Sequence, residues 1–200
     1  GLGKTLFGYE LVGAMASGGG FLHWTCDRPS HWLIIDGEMP ASLIKKRIGA
    51  VLDRHRVPPE NIMIYSLGRA EEFASLTPDL KPMPPLNTEE GHAWVLRLAK
   101  ALAVDGVFFD NLMSLAPGDH KDGLPWLATL PLVMALSNAG IAQIWADHTG
   151  WDASRQYGTS VKAWSFDSVG VLKPLPEAER GTHEVAFSLS FDMPGKARRR

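Results

Sequence analysis

Apolar residues along this chain recur with two different spacings, and the two alternate. Residues 4–17 read as a helix closed by the glycine run Gly18, Gly19 and Gly20. The run HWLIID, 31–36, is short, continuous and apolar, and predicts a buried strand. Over 40–56, Leu43, Ile44, Ile48, Val51 and Leu52 return to one face at helical spacing. NIMIY, 61–65, predicts a second strand, and the stretch 67–86, with PDLKPMPP inside it, predicts an irregular connection. Thr88 opens a helix that runs to about residue 103, with Glu89 and Glu90 in the first turn, where the helix dipole favours negative charge. GVFFD, 106–110, predicts a third strand, 111–123 a loop, 125–138 a helix ended by Gly140, and 141–146 a fourth strand. Residues 166–172 and 184–191 alternate apolar with polar and predict two more strands, joined by the turn PLPEAERG.

Strands alternating with helices predict an α/β fold: a mostly parallel sheet with helices on both faces. The last two strands, joined by a short turn, are expected as antiparallel additions at the C-terminal end. Two hundred residues suit a single domain over 1–200, long enough to bury roughly 70% of its unfolded surface. In such sheets a ligand sits off the carboxyl ends of the strands. The polar residues that follow the predicted strands, Asp36 and Glu38, Asp110, and Asp147 with His148, all fall at such ends.

The charge balance, 20 Lys and Arg against 22 Asp and Glu, gives a net charge of −2. Contact with nucleic acid would therefore need a local basic loop or the assembly of several subunits. The loops MSLAPGDHKDG and GWDASRQYG offer Lys121 and Arg155 for such contact. A single cysteine, Cys26, rules out an internal disulfide and fits a reducing cytoplasm, the expected location. No stretch approaches the ~20 apolar residues of a membrane span, so no membrane partner is expected.

Five stretches carry candidate chemistry. The opening GLGKT has the form in which a phosphate-binding loop, G-x-x-x-x-G-K-[ST], ends. Gly1 and Gly3 would let the backbone approach a phosphate, Lys4 would reach the β- and γ-phosphates, and Thr5 would ligate Mg²⁺. A solvated lysine at a chain end is the plain alternative. In IIDGEMP, a carboxylate directly after a strand can orient or deprotonate an attacking water, with Glu38 favoured because Asp36 still belongs to the strand. The alternative is a helix cap. In GVFFDN, Asp110 emerges at a strand tip as a metal-holding aspartate, roughly 100 residues after GKT, in a βα pattern that suits it. In IAQIWADHTG, His148 is the candidate to touch a γ-phosphate and relay its loss, or else a hydrogen-bonded structural histidine. In WDASRQYGTSVKAW, Arg155 and Lys162 are candidate cations for a neighbouring subunit's γ-phosphate, or solvated surface charges.

Taken in order, GLGKT, LIIDGEMP, VFFDNLMSLAPGD and DHTGWDASRQYGTSVKAWSFD resemble the RecA-like ATPases of the hexameric replicative-helicase and RepA-like type. The resemblance covers residues 1 to about 172. It implies ATP and Mg²⁺ as cofactors, hydrolysis coupled to movement on DNA, single-stranded DNA as partner, and a homo-oligomeric, hexameric ring. Carried over, Lys4 and Thr5 match the phosphate-loop lysine and metal ligand, Glu38 the catalytic glutamate, Asp110 the metal-site aspartate and His148 the γ-phosphate sensor. Arg155 matches the intersubunit arginine, with Lys162 as a neighbouring alternative. Trp151 stands where the family has a lysine, and Gln156 and Tyr157 separate Arg155 from GTS. The resemblance also implies that GKT is the second half of a loop whose first half and leading strand precede Gly1. That strand is expected between the Asp110 strand and the 141–146 strand, leaving an empty lane there or a collapse across it. The 200-residue chain is accordingly expected to be poorly stable and weak or inactive in hydrolysis, its parent being active. A nucleotide-gated assembly module without turnover is the alternative function.

Overall fold

The computed structural model describes residues 3–70, 81–120, 123–148, 165–176, 179 and 186–192. In chain order its elements are α1 (Lys4–Ser17), β1 (Gly20–Phe21), β2 (Trp24–Thr25), β3 (Trp32–Asp36), α2 (Ala41–His55), β4 (Ile62–Ser66), α3 (Glu89–Ala101), β5 (Gly106–Asp110), α4 (Leu112–Leu115), α5 (Leu124–Asn138), β6 (Ala142–Trp145), β7 (Val169–Pro174) and β8 (Phe187–Asp192). The central sheet has the order β4-β3-β5-β6, and each neighbouring pair is parallel.

All residues of β3 and β5 are buried, because both faces of the sheet are covered. This is why the strands read as unbroken apolar runs and not as alternation. Successive side chains still leave on opposite faces. Trp32, Ile34 and Phe108 meet Tyr9, Val12 and Ala16 of α1 and Ile44, Ile48 and Val51 of α2. Leu33, Ile35, Val107 and Phe109 meet Trp94 and Val95 of α3, Leu112 and Leu115 of α4, and Trp126, Leu132 and Leu136 of α5. Each such large side chain contributes roughly 1.5–3 kcal/mol through burial. The approach of α1 is close: a Cβ on Gly8 would lie 2.3 Å from Phe108 Cζ.

The helix boundaries follow local chemistry. Gly18, at φ 69°, ends α1 in the left-handed region that glycine enters without steric cost. The Thr88 hydroxyl accepts the Gly91 N–H at 3.1 Å and opens α3.

Three features differ from the sequence-based expectation. The glycine run leads into a small hairpin, β1 with β2, whose two-residue strands are too short to show a period. Within 111–123 a four-residue helix, α4, forms where Asn111 accepts the Ser114 N–H. β7 and β8 lie about three residues later than predicted at their starts, and they pair with each other as a separate antiparallel sheet.

Of the two outcomes expected between the Asp110 strand and the 141–146 strand, an empty lane or a closure across it, the structure shows the closed one. β5 and β6 pair directly, from Gly106 opposite Ala142 to Phe109 opposite Trp145. The rings of Phe109 and Trp145 stack at 3.9 Å. No lane separates these strands, because their main-chain groups satisfy one another. Among the described residues no strand pairs with the far side of β6, whose residues are half-buried or exposed. There an apolar trough of about 290 Å³ runs between β6 and β7, lined in part by Phe7, Leu11, Ile144, Val169 and Val171.

Candidate functional site

The C-terminal ends of β3, β5 and β6 and the start of α1 meet at one rim of the sheet. Gly3 caps α1 with φ 80° and ψ 10°, a left-handed turn that delivers Lys4 and Thr5 as the first two helical residues. Such a helix start presents unpaired N–H groups and the positive end of the dipole.

Asp36 ends β3 and is fully buried. Its Oδ1 accepts the N–H groups of Glu38, at 3.0 Å, and Met39, at 2.7 Å. Its Oδ2 accepts the Tyr9 hydroxyl at 3.4 Å. This turn aims Glu38 across β5. Gly37 makes it possible: its N–H donates to the Asp110 carbonyl at 2.7 Å, and a Cβ there would sit 2.9 Å from Leu115 Cδ2 and from Ser114 Cβ.

Asp110 ends β5 in register with Asp36. Burial pushes its carboxyl up to about 6, Asp36 and Glu38 push the same way, and a hydrogen bond from Thr5 and the charge of Lys4 oppose them. Burial likewise raises Asp36, against the pull of the hydrogen bonds from Met39, Glu38 and Tyr9. Tyr9 is held neutral, first by burial and then by the two aspartates.

Asn111 follows Asp110 through a cis peptide. Its Nδ2 donates to Glu38 Oε2 at 2.6 Å and lies 3.3 Å from His148 Nε2. His148 Nδ1 in turn lies 3.4 Å from Lys4 Nζ. The His148 N–H donates to Asp147 Oδ1 at 2.8 Å.

Of the residues singled out from sequence, Gly3, Lys4, Thr5, Glu38, Asp110 and His148 are therefore brought together. Gly1, Arg155 and Lys162 lie outside the described residues, as does Lys121. Two members of the cluster carry no role in the sequence reading. Asn111 carries the signal of a helix cap after a strand, and Tyr9 is hidden among the apolar positions of α1.

Among the described residues no group of three or more His, Cys, Asp or Glu side chains is arranged to hold a metal ion. The paired oxygens of Thr5 and Asp110 nevertheless fit a hard cation of the Mg²⁺ kind, which keeps waters and takes further oxygens from a phosphate. The site thus combines a helix N-terminus, a lysine, a hydroxyl–carboxylate pair, a strand-end glutamate and a histidine. That set can hold an anion and handle a proton beside it.

Comparison with known proteins supports the fold. No protein-family model matches the chain. No curated protein matches it either. Among solved structures it is similar to a KaiC-like protein from the hyperthermophilic archaeon Pyrococcus horikoshii OT3, with a TM-score of 0.62 and 13% identity, over 99% of this chain and 76% of that one. The fold is RecA-like: a parallel sheet between two helical layers, with separate antiparallel strands after it. Among the described residues no helix is long and apolar enough to cross a membrane.

Proposed function

We propose that the protein binds ATP with Mg²⁺ at this rim and hydrolyses it. The carrying observation is the convergence of Lys4, Thr5 with Asp110, Glu38 and His148 from four separate stretches on one edge of a parallel sheet. The start of α1 and the Lys4 ammonium receive the terminal phosphates. Thr5 and Asp110 hold Mg²⁺, which when bound neutralises charge between the phosphates. Glu38, aimed across β5 by the Asp36 turn, orients the attacking water and accepts its proton. His148 and Lys4 offer donors to the oxygen that gains charge.

The finer reading is a replicative-helicase-type ATPase working on single-stranded DNA as a homo-oligomeric, hexameric ring. Its support is the order of motifs in the sequence, from GLGKT to GTS, with Arg155, or Lys162 as the alternative, supplied to a neighbouring subunit. The test is phosphate release by the full-length protein, with and without single-stranded DNA. DNA should stimulate the rate, and Glu38→Gln should lower it by about 100-fold or more, with ATP affinity retained. Normal hydrolysis by Glu38→Gln contradicts the role given to Glu38. Slow hydrolysis indifferent to DNA, with rings that form only with ATP, supports the assembly-module alternative instead.

A further inference from the structure

We propose that Asn111 is a positioning residue that keeps the proton of neutral His148 on Nδ1 and ties that ring to Glu38. The amide orientation is set from behind. Asn111 Oδ1 accepts the Ser114 N–H at 3.1 Å and lies 3.4 Å from the Ser114 hydroxyl, which also donates to it. The Nδ2 end therefore faces the site. It carries two hydrogens and has two neighbours: Glu38 Oε2 at 2.6 Å and His148 Nε2 at 3.3 Å. A ring nitrogen that accepts an N–H has no proton of its own, so the neutral imidazole carries its hydrogen on Nδ1.

That hydrogen points to where Lys4 stands, with Nδ1 and Nζ 3.4 Å apart. Two donors cannot satisfy each other. An anionic oxygen between them satisfies both, through charge-assisted hydrogen bonds. Asn111 thus turns His148 from a possible acceptor for Lys4 into its partner in an anion cradle. The same amide nitrogen holds the Glu38 carboxylate, so the cradle and the proton acceptor share one support. Asn111 itself is 2% exposed, which fixes the amide between an exposed Glu38 and a half-buried His148.

The kinetic half of this inference rests on the ATPase reading; the tautomer half does not. The full-length protein, ¹⁵N-labelled at histidine, is examined by NMR at pH 8, with His148 identified by its loss in His148→Gln. The expected result is a protonated Nδ1 and a bare Nε2. Asn111→Ser keeps an oxygen that can cap α4 but loses both amide hydrogens. Asn111→Asp keeps the shape and the acceptor for Ser114, and presents only an acceptor to the ring. Both should move the proton to Nε2. Both should lower kcat by about 100-fold, as misplacement of a reacting group does, while KM for ATP stays within about twofold. A proton already on Nε2 in the unmodified protein overturns the proposal, as does one that stays on Nδ1 in both variants. If the proton moves as stated and the unmodified protein hydrolyses no ATP, the positioning role stands and the ATPase reading fails.

Discussion

Asp36 and Asp110 end neighbouring parallel strands in register, so two buried carboxylates stand side by side at the rim of the sheet. Burial raises both; Asp36 and Glu38 raise Asp110 further, and Glu38 adds to the rise of Asp36. The arrangement opposes stability and suits the capture of a cation.

The sign of the pH effect follows from that arrangement. Asp110 goes from 3.8, its ordinary value, to about 6 in the folded protein. Its stabilising contribution is full below about pH 4 and is lost as pH rises through about 6. In Mg²⁺-free buffer Asp110→Asn should therefore be more stable than the natural protein at pH 7.5, by about 1–3 kcal/mol. The advantage should vanish near pH 4. Urea unfolding at the two pH values measures it, and the same variant should lose hydrolysis.

Tyr9→Phe should cost about 1 kcal/mol, the net worth of one hydrogen bond, because the ring keeps its edge contact with Phe108. Its larger effect should be on turnover. With one donor lost from Asp36, the turn that aims Glu38 loosens, and kcat should fall while KM for ATP holds. Equal changes in kcat and KM would separate Tyr9 from the aim of Glu38.

Gly8→Ala should destabilise the protein by about 1–3 kcal/mol, the usual cost of overpacking. The added Cβ meets the Phe108 ring, 2.3 Å away. Phe108→Leu should recover part of the loss in the double variant. Additive losses in thermal unfolding would mean that the two positions are not in contact.

β6 should be the least protected strand of the central sheet. It is half-buried or exposed, whereas β3 and β5 are buried throughout. Hydrogen exchange followed by mass spectrometry should show the peptide over 142–145 exchanging well before those over 32–36 and 106–110. Equal protection would mean that the trough beside β6 is closed in solution.

Much of this architecture is legible in the sequence, because β3 and β5 are covered on both faces and leave unbroken apolar runs that end in Asp36 and Asp110. The helices are legible from their stops, such as Gly18, and their starts, such as Thr88. What is hidden is of two kinds. Lateral order within the sheet leaves no local trace, so nothing in 106–110 or 141–146 says that Phe109 stacks on Trp145 with no strand between them. Roles held through a neighbour are equally silent. Tyr9 reads as one more apolar position, and Asn111 as the first residue of a loop, until Asp36, Glu38 and His148 are seen around them. Glu38, Asp110 and His148 could be found because they follow short apolar strand runs, and Lys4 because it stands in GLGKT.

In the proposed function, Lys4 and the groups around it form a seat for the phosphates of ATP. Equilibrium titration of a fluorescent ATP analogue with Mg²⁺ into the full-length protein and its Lys4→Ala variant tests it most directly. Affinity should be about 10- to 100-fold weaker in the variant, the loss of one charge-assisted hydrogen bond. Equal affinity in the two proteins would contradict it.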